Sequence, residues 1–343
     1  MPQFQYSSIF GELTKNVQLR FDAVSELQKK LFDNVLFEDY LDWDTPTIGL
    51  NFEELIGKYN ISIAAPTIGD SSKEPIMGTE GLQTLSEKIV HHAITRPMKI
   101  EDYRKVLQIL DSKSLNDTAK TQQLINLMWG EVKSPVDAIL SKLDMIFLGA
   151  LSNEGKFTFD STTNPEGGVQ GVINFNQPST NIATSRTAWT DANKDTIDCF
   201  EDVQGIIDAA ADKVAFAKVL CDPALISYMC RSTKLKKMVW GSDKSASILQ
   251  LRDLNEYMQA NGFPVFVPIR RQVRIQNGTQ RANYKPWTTA NMVFVPEGKL
   301  GLVKNAYANS ELREEPNVAY SNYGRIRVSQ WGVGETQNSN GVE

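Results

Sequence analysis

The chain has 343 residues, of which 41% are apolar and 22% charged, and its formal net charge is −5. That is core material for about two domains, with too many aromatics for general disorder. Acids outnumber bases and no long basic run exists, so tight nucleic-acid binding, which sets clustered Lys and Arg against phosphates, is disfavoured while weak contact is not.

Residues from about Glu12 to Phe37 carry Leu13, Val17, Phe21, Val24, Leu27 and Leu31 at steps of three or four, which predicts an amphipathic helix. From Tyr40 to about Arg96, Gly and Pro become frequent. Tyr59, Ile61 and Ile63 alternate as a half-buried strand ended by Pro66, and Ser86 to Thr95 predicts a returning strand. The Gly69–Pro75 tip between them completes a long two-stranded ribbon. Such a ribbon is marginal alone in water and needs something to lie on, such as another copy of the chain.

The strongest helix follows, with Ser114 as cap, Asp117 three residues on, and apolar positions from Leu124 to Ala150 at helical spacing. Running to about Leu151, it would be roughly 50 Å long at 1.5 Å per residue. Pro135 is expected to kink or split it. Lys156–Asp160 and Val172–Phe175 predict short strands joined through a turn at Gly167-Gly168.

Between Trp189 and about Glu311 a compact α+β domain is legible. It comprises a helix over Asp195–Asp212, a strand over Val214–Leu220, a helix opened by Asp222-Pro223, and a helix over Ser245–Ala260 stopped by Asn261-Gly262. Val265–Gln276 and the residues from Thr279 onward predict a hairpin around Asn277-Gly278, and Met292–Pro296 an apolar strand. Arg325–Trp331 alternates as a strand, and the polar residues after it are expected to fray.

Reactive chemistry is sparse. His91 and His92 are the only histidines, and on a strand neighbouring side chains point to opposite faces, so they are not expected to share a metal ion or to serve a Ser-His-Asp triad. Cys199, Cys221 and Cys230 lack metal-type spacing and suit small buried hydrophobes kept reduced in a cytoplasm. No GxGxxG or phosphate-loop pattern occurs, and Gly241–Ser245 reads as a surface turn. The acidic pairs Glu53-Glu54, Asp42 with Asp44, and Glu314-Glu315 read as solvated carboxylates and not as an acid–base site. The basic stretches Lys234–Lys237 and Arg270–Arg274 suit a solvated face or a subunit contact better than a phosphate grip. No run of about 18 apolar residues predicts a membrane span, and the N-terminus lacks the basic start and apolar block of a signal peptide. The expectation is no enzyme: no catalytic, cofactor-binding or metal residues.

The element order and three motifs carry a resemblance. The long helix runs through Ser141–Leu151 into a β segment and Gly171-Val172-Ile173-Asn174-Phe175-Asn176. Ala188-Trp189-Thr190-Asp191 comes next, then Asn291-Met292-Val293-Phe294-Val295-Pro296-Glu297-Gly298-Lys299-Leu300-Gly301. In this the chain resembles the lambda-like major capsid protein family (major capsid protein E) of tailed bacteriophages, which uses the Hong Kong 97-type capsid fold. The resemblance implies an α+β fold with an N-terminal arm to residue 36, an extended β-ribbon loop over 37–98 and a peripheral domain with a spine helix over 99–188. An axial domain over 189–311 and a C-terminal strand over 312–343 returning to the peripheral domain complete it.

It further implies a structural subunit forming the pentamers and hexamers of an icosahedral shell around double-stranded DNA, built in the host bacterial cytoplasm. The partners it implies are the chain itself, a separate scaffolding protein, a portal, a decoration protein, and packaged DNA in weak non-specific contact. Two other readings compete. A nanocompartment shell would enclose an enzyme cargo and would lack portal and terminase gene neighbours. A cytoplasmic carboxylate-dependent hydrolase would show a clustered acidic pocket and a small stable oligomer.

Overall fold

The computed structural model describes residues 35–56, 83–98, 100–112, 117–166, 170–193, 195–210, 214–241, 247–316, 318–333 and 337–342. The predicted N-terminal helix, the Tyr59–Ile63 strand, the 69–75 tip, the Ser114 cap and the Gly167-Gly168 turn lie outside the described residues. In chain order the elements are α1 (Phe37–Tyr40), β1 (Leu41–Trp43), β2 (Asn51–Ile56), β3 (Gln83–Lys88), β4 (Ile94–Met98), α2 (Ile100–Asp111) and α3 (Asp117–Ser152). Then come β5 (Lys156–Phe159), β6 (Gly171–Asn174), α4 (Cys199–Ala210), β7 (Phe216–Cys221), α5 (Pro223–Arg231), α6 (Thr233–Trp240), α7 (Leu251–Ala260) and β8 (Val265–Pro268). The last are β9 (Val273–Asn277), β10 (Gln280–Tyr284), β11 (Met292–Pro296), β12 (Gly301–Val303), α8 (Asn309–Leu312), β13 (Ala319–Tyr323), β14 (Ile326–Val333) and β15 (Gln337–Val342). The chain is mixed α+β and divides into two compact units, one of residues 1–52, 88–144 and 301–343, the other of 53–87 and 145–300.

The first unit holds a four-stranded antiparallel sheet in the order β13-β14-β15-β4. Its third strand is the polar tail that was expected to fray. Ladder hydrogen bonds use the backbone alone, so a strand held on both sides by β14 and β4 needs no apolar pattern of its own. Arg327 on β14 is nearly buried, reaches Asn322 at 3.0 Å and Glu314 at 2.5 Å, and stacks its guanidinium 4.5 Å from the Tyr320 ring centre. The long helix presents Val132, Val136, Ile139 and Leu140 as a buried stripe in this unit. It runs unbroken through Pro135 for 36 residues, so the expected split does not occur. Helix α2, just upstream, was not anticipated from the sequence.

The second unit is built on the sheet β11-β7-β8, with β7 central, antiparallel to β11 and parallel to β8. The parallel pair is joined by α5, α6 and α7, as parallel strands require a long crossover. Asp222 opens α5 by accepting the Ala224 N–H at 2.8 Å, with Pro223 in the first turn. Ser232 accepts from Leu235 to open α6 within the basic stretch, a helix not foreseen. Helix α4 starts at Cys199, four residues after the expected start, because the Asp198 carboxylate takes the Glu201 N–H and caps it there. Helix α7 starts at Leu251 and not at Ser245. Gln250 is extended, and Leu249 is already buried in the core from a non-helical segment.

Val265–Gln276 is two strands instead of one. Pro268 ends β8 beside β7, and β9 starts at Val273 to pair with β10. The hairpin turn is Gly278-Thr279, one residue later than expected, since Asn277 is paired with Gln280 and Gly278 takes the left-handed backbone at φ 61°. Strands β5 and β6 form the predicted hairpin. Phe157 and Phe159 of β5 are buried against Met145, Ala150 and Val273, their rings 5.2 Å apart edge to face. Gly149 gives Phe157 its room, because a Cβ there would lie 2.6 Å from the ring.

Candidate assembly surfaces

His91 and His92 lie on the connection between β3 and β4, not on a strand: β3 belongs with β2 and β4 with β15, so the residues between change partners. Asp44 is paired with Lys304 at 2.8 Å, which holds its carboxyl below the usual range, and Glu314 is paired with Arg327. The side chains of Glu53 and Glu54 lie outside the described residues. The three cysteines are buried and unbridged, and burial raises each thiol, that of Cys221 to about 12. They pack as small hydrophobes in the core of the second unit. Among the described residues no group of His, Cys, Asp and Glu is arranged to hold a metal ion, and no helix is long and apolar enough to cross a membrane.

What the first unit does carry is a clamp where the N-terminal segment enters and the ribbon leaves. Asp144 on α3 is fully buried, and its Oδ1 accepts the backbone N–H of Leu36 at 2.8 Å and of Phe37 at 2.9 Å. It thus caps α1, which has no side-chain cap of its own. Phe37 is buried and meets Trp43 edge to face at 5.9 Å. Strand β1 then pairs in parallel with β12, and Thr47 bridges Ala306. Past this ladder the chain exposes Ile48, 75% accessible, and Leu50; Leu302, opposite Asp42, and Tyr307, whose N–H donates to the Thr47 carbonyl, are exposed as well. The chain then enters β2, paired with β3. Sequence reasoning missed this patch, although the Ile48-Gly49-Leu50 triplet ahead of the ribbon is a readable signal. It also missed Asp144, whose role is invisible because its partners lie more than a hundred residues away. In the second unit, Val172, Phe175 and Ile182 are exposed at and after β6. Apolar side chains exposed in groups mark surfaces that other molecules cover.

A half-buried histidine lies on the connection between β3 and β4. His92 is held neutral down to about pH 4, first by burial and then by the charges of Lys142 and His91. The folded pKa is below the ordinary 6.5, so the unfolded chain takes up this proton first, and stability falls as pH drops from about 6.5 to about 4. The group's contribution reaches at most about 3 kcal/mol. We expect the stability difference between the wild type and His92→Gln to change across that window and to be flat above it, as read by denaturant unfolding at stepped pH. A constant difference would refute the assignment.

The sequence profile described as phage major capsid protein E matches residues 21–331. The chain belongs to the phage major capsid protein E family. No curated protein matches significantly. Among solved structures, the chain is similar to a protein provisionally described as a prophage capsid protein of E. coli CFT073, at 13% identity and a TM-score of 0.49 over 99% of this chain and 93% of that one. It is also similar to a chain from Mycobacterium phage Adephagia, at 14% identity and a TM-score of 0.35 over 90% and 80%.

As a major capsid protein the chain has a structural role in a self-assembling shell and resides in the virion capsid. The motifs that suggested the family do structural work. Trp189 is buried and donates its indole N–H to Asp202 at 2.8 Å, and Asp191 pairs with Arg231 at 3.0 Å. In Val295–Gly301, Gly298 at φ 92° makes the turn that carries β11 into β12.

Proposed function

We propose that this capsid protein forms both the pentamers and the hexamers of an icosahedral shell of the Hong Kong 97 type around the double-stranded DNA of a tailed phage, without catalytic activity. In this reading residues 1–36 are the arm, 37–98 the extended loop, 99–188 the peripheral domain with its spine helix, 189–311 the axial domain and 312–343 a strand returning to the peripheral domain. The observation that carries it is the family match across residues 21–331. The clamp at Asp144 and the exposed apolar residues at the root of the ribbon add physical support: they hold the root firmly and leave apolar surface for a neighbour to cover.

One chain occupying two kinds of ring needs interfaces that accept small angular differences. An arm and a ribbon that lie on neighbouring copies supply that tolerance, while packed cores keep their shape. Assembly takes place in the host bacterial cytoplasm, with a separate scaffolding protein, a portal and a decoration protein as partners. The test is negative-stain electron microscopy of the purified chain, alone and co-expressed with its neighbouring genes. Closed shells, tubes or rings of five and six are the expected result. A monomer under every condition overturns the proposal.

A further inference from the structure

Between Glu256 and Glu297 the sequence contains no Asp or Glu, in a chain where acids outnumber bases, yet it holds Arg270, Arg271, Arg274, Arg281 and Lys285. Within this stretch β9 and β10 form one hairpin that carries Arg274 and Arg281, and Arg270, Arg271 and Lys285 flank it. Strands β9 and β10 pair in the register Arg274↔Asn283 and Gln276↔Arg281, which puts those four side chains on one face, with the two arginines as diagonal neighbours about 7–8 Å apart. The opposite face carries Val273, Ile275 and Tyr284 and is committed to the core beneath, with Met145, Phe157 and Phe159. Arg270, Arg274 and Arg281 are exposed, and among the described residues none makes an ion pair. Two acids that reach this stretch are already engaged: Glu166 accepts the Gly278 N–H at 2.6 Å at the hairpin tip, and Asp222 holds Lys285.

We propose that the outer face of this hairpin is a phosphate-contacting surface for the packaged duplex DNA. The proposal rests on the shell reading above and adds the partner-facing surface to it. Uncommitted guanidiniums interleaved with amide side chains match phosphate oxygens, which accept from both. A protein partner would want an apolar anchor at the centre of the patch, and this face has none; among the described residues, the large exposed apolar side chains of the same unit are Val172, Phe175 and Ile182 on and after β6, together with Val214, Met238 and Ile248. Three arginines per subunit give weak, sequence-blind, salt-sensitive contact that becomes effective only through repetition in a shell.

The test uses the full chain and a triple variant, Arg270→Gln with Arg274→Gln and Arg281→Gln, titrated against a fluorescent random-sequence duplex over a salt series, with polyglutamate as a second probe. All three positions are exposed, so folding is expected to be retained, and circular dichroism checks it. The corresponding triple Arg→Lys variant keeps the charge and should keep most of the binding. The wild type should bind the duplex with a salt slope that falls by about 3 in the Gln variant, with at least a tenfold loss of affinity at low salt. Shell formation, scored separately by microscopy, should survive. Equal duplex binding by wild type and variant overturns the proposal. So does binding of polyglutamate without binding of DNA, or a variant that loses shells while its duplex affinity is unchanged, since each assigns the face to an acidic protein surface. Failure of the wild type to form shells would count against the assembly reading alone.

Discussion

Replacing Trp189 with alanine is expected to destabilise the second unit by about 3–5 kcal/mol, the range for emptying a large aromatic from a packed core. The side chain is 6% accessible and sits with Ile197, Cys199, Val203 and Phe266 in the cluster under the β11-β7-β8 sheet. Its indole N–H also ties the segment before α4 to Asp202 on that helix. The two contributions separate experimentally. Trp189→Phe keeps most of the apolar volume and loses the hydrogen bond to a carboxylate, so it should cost about 1.5–3 kcal/mol. Denaturant unfolding followed by far-ultraviolet circular dichroism reads both. A Trp189→Ala loss below about 1 kcal/mol would mean the cluster closes over the gap and the residue is not a core anchor.

Asp144→Ala is expected to cost about 2–4 kcal/mol, because it strands two backbone donors that the fold has withdrawn from water. The consequence is local before it is global. Without the carboxylate, α1 loses the acceptor at its N-terminus, and the chain around Leu36 and Phe37 should open. Limited proteolysis should then cut near residue 35 many times faster than in the wild type. Asp144→Asn retains an acceptor oxygen and should fall between the two. In shells, the Ala variant should assemble poorly, since the root of the ribbon is anchored through the same segment. Unchanged proteolysis would show that Phe37 and Trp43 hold the segment by packing alone.

The elements that were legible in the sequence are those whose cause is local. Asp222-Pro223 marked a helix start because the cap and the first-turn proline act within three residues. The long helix was evident from its stripe, and β5, β7, β11 and β14 from short apolar or alternating runs. The family was equally plain, through Trp189-Thr190-Asp191 and Val295–Gly301 taken with element order.

Other features were decided by contacts distant in sequence. The tail became β15 because β14 and β4 offered two open edges. Val265–Gln276 became two strands because Pro268 must leave the β7 ladder, and the histidines left the strand because the segments on either side pair with different sheets. The Asp144 clamp and the one-sided arginine hairpin are of the same kind: a backbone donor or a bare face acquires its meaning only when the fold chooses what stands opposite. Local propensity and patterning are written residue by residue, so the sequence determined the locally capped and patterned elements and the family. Burial and pairing join residues far apart in the chain, so tertiary structure alone determined which polar groups are locked inside and which charged and apolar faces are left for other molecules.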